Sequence, residues 1–169
     1  MEGGVRTNLK RDQIREMTTI SVLASLIIVT GMIKIPSPIP GSDFQLSAPL
    51  AVGIAVVFGF RRYIIAGILA SSILLILGFH TILNVEISMV FRIVAGGAIA
   101  LFGPSIPVVV FAGPLGSITA RFVLAETLQV SVWPLLIAAV PGILFTAATV
   151  IPITSLLKRI KIERNKQYV

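Results

Sequence analysis

The amino-acid sequence predicts an all-α polytopic membrane protein, a bundle of about six transmembrane helices. Hydrophobic residues make up 56% of the 169-residue chain and charged residues only 12%, whereas a soluble domain carries about 25% charged residues. The apolar residues fall into six segments, and no polar stretch is long enough to form a second domain. We therefore expect a single integral membrane domain over residues 1–169, with a polar N-terminal segment at 1–16 and a basic tail at 158–169.

Each apolar segment is a candidate span, because a transmembrane helix needs roughly 20 residues and about 17 at the least. The second segment is short, so we expect it to be tilted, extended into a loop or buried among its neighbours. Arg61 and Arg62 are expected to separate it from the third segment, and Pro141 and Pro152 to kink the sixth. The six segments lie at about residues 17–33, 46–60, 63–79, 85–102, 105–125 and 132–157.

The basic residues predict how the bundle is oriented. With six spans, both termini and the Arg61-Arg62 pair lie on one side, which holds eleven of the 14 lysines and arginines, and the other side holds only Lys34. Because cytoplasmic loops carry the excess of positive charge, both termini are expected in the cytoplasm of a multi-pass cell-membrane protein. The net charge of +7 is thus explained by topology and the lipid bilayer, and we expect no nucleic-acid partner.

Four charged residues interrupt the fourth and fifth segments: Glu86, Arg92, Arg121 and Glu126. In the predicted orientation all four fall in the outer half of the bilayer, and Arg92 lies about 9 Å deeper than Glu86 at 1.5 Å per residue. A charge at membrane depth is costly, so such residues face a bundle interior or a wet cavity. We expect them to line an outward-facing ligand pocket. The alternative is structural, with Arg92 paired to Glu126 or Glu86 paired to Arg121.

Further polar residues are expected at the same outer rim. Asn84 and His80 flank the start of the fourth span, and residues 34–45 form the one long outer loop. Three prolines stiffen this loop. Its end combines a charge, an aromatic ring and an amide, namely Asp43, Phe44 and Gln45, and we expect it to act as a lid in which Phe44 stacks on the ligand. The alternative is a rigid connector that caps the bundle.

Several kinds of chemistry have no support in the sequence. It has no cysteine, no GxxxxGK[ST] phosphate-binding loop and a single histidine, so we expect no enzyme activity, no cofactor and no metal site. Small residues form stripes in the first segment (Ser21, Ala24, Ser25) and in the third (Ala66, Gly67, Ala70, Ser71). Such stripes let membrane helices approach closely, and we expect packing within the chain more than docking on a partner.

The chain resembles the substrate-binding S component of an energy-coupling factor transporter. The resemblance covers nearly the whole chain and is carried by its size, six spans, internal termini and long outer loop. It includes the stretches Pro36-Ser-Pro-Ile-Pro-Gly-Ser-Asp-Phe-Gln-Leu-Ser-Ala-Pro49 and Phe58-Gly-Phe-Arg-Arg62. It implies high-affinity capture of a vitamin-like micronutrient from outside, and docking onto a transmembrane coupling subunit that is bound to two ATPases.

Two other functions stay open at this point. A stand-alone secondary transporter would couple transport to protons through Glu86 or Glu126, although six short spans offer little for alternating access in one chain. A non-transporting membrane scaffold or assembly factor would carry no small molecule.

Overall fold

The computed structural model describes residues 2–36 and 43–166, with side chains for residues 10–33 and 46–162. This part of the chain forms six helices and so confirms the all-α fold class. Two three-residue strands that the sequence did not predict, β1 (Lys34–Pro36) and β2 (Asp43–Gln45), form an antiparallel ribbon with Ile35 opposite Phe44. The helices are α1 (Glu2–Met32), α2 (Ser47–Phe58), α3 (Phe60–Ile76), α4 (Ile82–Phe102), α5 (Ile106–Leu128) and α6 (Val132–Lys166).

Four of these helices are long and apolar enough to cross a membrane. The spans are Lys10–Met32 in α1, all of α4, all of α5 and Val132–Ile162 in α6. The outer surface of the bundle is apolar: Ile76 and Leu101 are both 82% exposed, and Ile82 is 77% exposed. A lipid environment removes the cost of exposing such side chains, while the helices satisfy their own backbone hydrogen bonds. The protein is therefore a helical membrane bundle.

The break between the second and third helices lies at Gly59, so the prediction that Arg61 and Arg62 separate them was wrong. Gly59 has φ +87°, a conformation that favours a residue without a side chain. The chain therefore turns there, and both arginines lie in the first turn of α3. Helix α6 runs through Pro141 and Pro152 without ending.

Helix α2 lies at the centre of the bundle and contacts each of the other five helices. It has only 12 residues, about 18 Å at 1.5 Å per residue, which is too short to span a hydrocarbon core of roughly 30 Å. Most of its side chains are buried, including Val52 and Ile54 with no exposed surface. Of the three arrangements expected for this short segment, the structure confirms burial among its neighbours.

The helices alternate in direction, which gives the bundle two distinct ends. One, the ribbon end, holds β1, β2, residues 77–81 and residues 129–131. The other, the terminal end, holds the start of α1 and the end of α6. Two contacts tie the helices together near the terminal end: Arg62 pairs with Glu16 at 2.7 Å, and Lys161 Nζ donates to the Val57 carbonyl at 2.6 Å.

Candidate ligand-binding site

Arg92 lies on the face of α4 that packs against α3, and its side chain is only 6% exposed. Its Nη1 donates to Ser71 Oγ of α3 at 2.8 Å and to Ser88 Oγ of its own helix at 2.9 Å. Ser88 lies one helical turn before Arg92, so a side chain that points back toward the start of the helix reaches it. The two hydroxyls lie 3.0 Å apart. Together they hold one end of the guanidinium in a fixed position.

The Arg92 side chain fits against α3 because position 67 is glycine. A Cβ added to Gly67 would lie 2.3 Å from Arg92 Nε and 2.5 Å from Arg92 Cδ, far inside van der Waals contact. The guanidinium therefore lies directly over the backbone of α3. Gly67 and Ser71 are four residues apart on one face of α3, so the same face offers both the space and a hydroxyl.

Tyr63 extends this face of α3 by one more turn, toward the terminal end. Its ring packs against Gly96 of α4, where an added Cβ would lie 2.9 Å from Tyr63 Cε1. Gly96 lies one turn beyond Arg92 on the same face of its helix. Tyr63 has no exposed surface, and its hydroxyl finds no hydrogen-bond partner among the described residues. A buried donor is thus left unused close to the arginine.

The positive charge of Arg92 has no counter-ion within the described part of the chain. The ion pair found there joins Glu16 and Arg62, and the hydrogen bonds that Arg92 makes with described residues come from Nη1. An arginine has five N–H donors, so Nε and Nη2 keep three that no described side chain accepts. A buried charge is costly unless it is paired. A buried positive charge with three N–H donors that no described side chain accepts makes Arg92 a candidate anion-binding group.

The ion pairs considered as the structural alternative are not formed among the described residues. Glu126 is exposed at the end of α5, and it makes no ion pair with Arg92. The Glu86 carboxylate instead accepts a hydrogen bond from the Thr127 hydroxyl at 2.5 Å. Arg121 is half-buried on α5 and has no hydrogen-bond or ion-pair partner in the described chain.

Contacts between α4 and α5 fix the relative depth of these residues. Glu86 meets Thr127 at the ribbon end. Deeper in the bundle, Gly116 packs against Phe91, whose backbone oxygen would lie 3.0 Å from a Cβ added to Gly116. Arg92 lies at this deeper level, and Arg121 lies between the two contacts along α5. Counted from the ribbon end, Arg92 is therefore the farthest of these residues along the helices.

The remaining predicted residues lie at the rim. Asn84 is exposed in the first turn of α4, where its backbone N–H donates to the Thr81 hydroxyl at 3.3 Å and so caps the helix. His80 is half-buried in the connection between α3 and α4, and its backbone N–H donates to the Leu74 carbonyl at 3.0 Å. Neither residue is brought next to Arg92 by a described contact. The side chains of Asp43, Phe44 and Gln45, and with them the predicted lid, lie outside the described residues.

Sequence reasoning missed the immediate partners of Arg92. Ser71 and Gly67 belong to the small-residue stripe for which packing is expected, and Ser88 and Tyr63 are not among the predicted site residues. A signal was present, since Ser88 and Arg92 share one helical face, as do Tyr63, Gly67 and Ser71. Among the described residues, no group of three or more His, Cys, Asp or Glu side chains could hold a metal ion.

Comparisons with known proteins place the chain in a family. Over 142 residues, which cover 84% of this chain and 86% of the relative, it is 59% identical to Protein BioX of Lysinibacillus sphaericus. Two shorter matches are to UPF0397 proteins. One, from Streptococcus sanguinis (strain SK36), is 39% identical over 51 residues, 30% of this chain and 28% of the relative. The other, from Streptococcus pneumoniae (strain Hungary19A-6), is 28% identical over 60 residues, 36% of this chain and 33% of the relative.

No family model and no solved structure matches the sequence. The match to Protein BioX shows the family, because it combines high identity with coverage of most of both chains. The chain belongs to the same family as Protein BioX.

Proposed function

We propose that this protein is the substrate-binding S component of an energy-coupling factor transporter, and that it captures a small anionic micronutrient from outside the cell. One observation carries the proposal: Arg92 is buried in the bundle with no carboxylate partner among the described residues and with unused donors. An intramembrane ionisable residue is a functional-site hypothesis by default. A bound anion would supply the missing charge.

The donors that Arg92 keeps are well suited to a carboxylate. Its Nη1 is occupied by Ser71 and Ser88, which leaves the edge formed by Nε and Nη2. The same edge of Arg62 holds the Glu16 carboxylate in this chain, with Nε to Oε1 at 3.2 Å and Nη2 to Oε2 at 2.7 Å. A planar fork of this kind matches a carboxylate with two parallel hydrogen bonds.

The direction of capture follows from the charges at the two ends. The terminal end carries the basic residues of α1, α3 and α6, and we assign it to the cytoplasm. Glu86, Asn84 and His80 lie at the ribbon end, which we assign to the outside. The path from the outside to Arg92 would be lined by Arg121, Glu126 and the segment with Asp43, Phe44 and Gln45.

Energy for uptake would come from other subunits. The sequence has no GxxxxGK[ST] loop to bind ATP phosphates. Concentrating the ligand would thus require a transmembrane coupling subunit and two ATPases. The test is uptake of radiolabelled carboxylate vitamins by cells that express this protein, with and without a coupling module. The panel is biotin, pantothenate and nicotinate, with biotin first because of the name that the 59%-identical relative carries.

We expect cells with this protein alone to bind a panel member without accumulating it, and cells with the coupling module to accumulate it. Accumulation without the module that collapses with a protonophore would point to the proton-coupled secondary transporter. A purified protein that neither retains nor binds a small molecule would point to the scaffold. Either result would overturn the proposal.

The role of Arg92 is tested by Arg92→Lys, which keeps the charge and loses the planar fork. A hydrogen bond to a charged group contributes roughly 1.5–3 kcal/mol, so affinity for the bound panel member should fall about ten-fold or more. Arg62→Lys is the matched control at the terminal end, where the arginine fork binds Glu16 and not the ligand, so affinity should be unchanged. Unaltered affinity in a folded Arg92→Lys protein would remove Arg92 from the site.

A further inference from the structure

The hydroxyl of Tyr63 is a buried polar group for which the described chain provides no partner. Tyrosine hydroxyls normally find a hydrogen bond when they are buried, because a lost hydrogen bond to water is otherwise not replaced. Tyr63 is among the largest fully buried side chains of the bundle. Such a group calls for an explanation, and a hydrogen bond to a bound ligand is one.

Tyr63 lies at the same helix interface as Arg92, which has no ion-pair partner among the described residues. Arg92 lies over Gly67, one turn from Tyr63 on α3, and Tyr63 packs against Gly96, one turn from Arg92 on α4. The two residues with unused donors therefore lie at the same α3–α4 contact, within one helical turn of each other's packing position. Tyr63 is on the side toward the terminal end, so it is the deeper of the two.

We propose that Tyr63 is a ligand-contacting residue, and that its hydroxyl donates a hydrogen bond to the carboxylate that Arg92 binds. This inference rests on the proposed function and names the chemistry of its site. The ligand binds with its carboxylate end innermost, at Arg92 and Tyr63. The rest of the molecule extends toward the ribbon end.

The charge of the site selects a monoanion. Arg92 contributes one buried positive charge, and its neighbours Tyr63, Ser71 and Ser88 are neutral hydrogen-bonding groups. A carboxylate balances that single charge, whereas a phosphate dianion would leave a net negative charge in a low-dielectric interior. The site therefore takes a monocarboxylate, and the corresponding carboxamide is rejected because its NH₂ group faces donors.

The test compares Tyr63→Phe with Thr154→Val, since both remove a buried hydroxyl that has no partner among the described residues. Thr154 lies at the contact of α6 with α2, where its Oγ1 would be 3.3 Å from a Cβ added to Gly53. It is a different interface from that of Arg92. Removing an unsatisfied hydroxyl should leave the melting temperature of each ligand-free protein unchanged or raise it.

Only Tyr63→Phe should weaken binding. The probes are matched acid and amide pairs, biotin with biotinamide and nicotinate with nicotinamide, titrated against the purified full-length protein. We expect at least ten-fold weaker binding of the acid to Tyr63→Phe, a reduced preference for acid over amide, and unchanged binding by Thr154→Val.

Acid binding to Tyr63→Phe with wild-type affinity would overturn the inference and leave the proposed function standing. A wild-type protein that binds no acid would overturn both.

A second measurement covers the case in which Tyr63→Phe does not fold. The chain has two tyrosines, Tyr63 and Tyr168, so a protein labelled with 3-fluorotyrosine gives two ¹⁹F resonances, and Tyr168→Phe assigns them. The Tyr63 resonance should shift when the acid is added and should not shift with the amide. A Tyr63 resonance that stays unchanged at saturating acid would overturn the inference.

Discussion

Replacing Gly67 with alanine should displace Arg92 and thereby weaken ligand binding. The new methyl group would lie 2.3 Å from Arg92 Nε, 2.5 Å from Cδ and 3.0 Å from Cζ. All three distances are shorter than van der Waals contact, so the guanidinium has to move. Movement breaks the hydrogen bonds of Nη1 to Ser71 and Ser88, which are 2.8 and 2.9 Å long.

The change in the free energy of unfolding combines one favourable term with two unfavourable terms. Alanine in place of glycine in a helix is favourable by roughly 0.5–1 kcal/mol. An added methyl in a packed site costs typically 1–3 kcal/mol, and each hydrogen bond to a charged group contributes roughly 1.5–3 kcal/mol. The loss exceeds the gain, so Gly67→Ala should be destabilised by about 3 kcal/mol or more and should bind ligand at least ten-fold more weakly.

The matched control is Gly97→Ala on α4. An alanine Cβ at Gly97 meets nothing within 4 Å, and the glycine has an ordinary helical φ. Only the favourable helix term remains there, so this variant should be as stable as wild type or slightly more stable. Thermal unfolding in detergent gives the stabilities, and titration with the bound panel member gives the affinities. A Gly67→Ala protein that matches Gly97→Ala in both measurements would refute the contact between Gly67 and Arg92.

Three further predictions concern other parts of the chain. Ser71→Ala removes one of the two oxygen acceptors of Nη1, so affinity should fall by several-fold in titrations, by less than in Arg92→Lys. Glu16→Gln breaks the ion pair with Arg62 at the terminal end, where both side chains are more than a third exposed. It should lower the melting temperature slightly, by less at high salt, and should leave affinity unchanged. Because the chain has no cysteine, Ser42→Cys should react with an impermeant thiol reagent on intact cells, and Asn165→Cys should not.

The fold was largely predictable because a bilayer imposes a simple rule on sequence. Apolar runs become helices, and all six predicted segments correspond to helices of the structure, although the second is shorter than a span. The ends were less predictable. Helices α1 and α6 continue into polar residues, since a helix satisfies its own backbone hydrogen bonds wherever it runs. The break at Gly59 depends on a backbone angle that the sequence does not reveal. The adjacent pair Arg61 and Arg62 favoured a break two residues later.

The candidate site was predictable only in part. Arg92 stands out in sequence because a charge inside an apolar segment is rare. Its partners depend on how α3 aligns with α4, which is a property of tertiary packing that helical periodicity alone does not determine. Gly67 and Ser71 fit a packing stripe equally well until that alignment is known. Tyr63 shares a helical face with Gly67 and Ser71, but a tyrosine at the start of a membrane helix is ordinary and does not by itself indicate a binding site.

The central claim, that the bundle binds a small carboxylate at Arg92, is tested most directly by native mass spectrometry of the purified protein and of Arg92→Gln. The wild-type protein is expected to carry or bind a small monocarboxylate. Folded Arg92→Gln is expected to lack it, because the neutral amide removes the charge that the anion balances. A folded wild-type protein that binds no small carboxylate, or an Arg92→Gln protein that retains the same ligand, would contradict the claim.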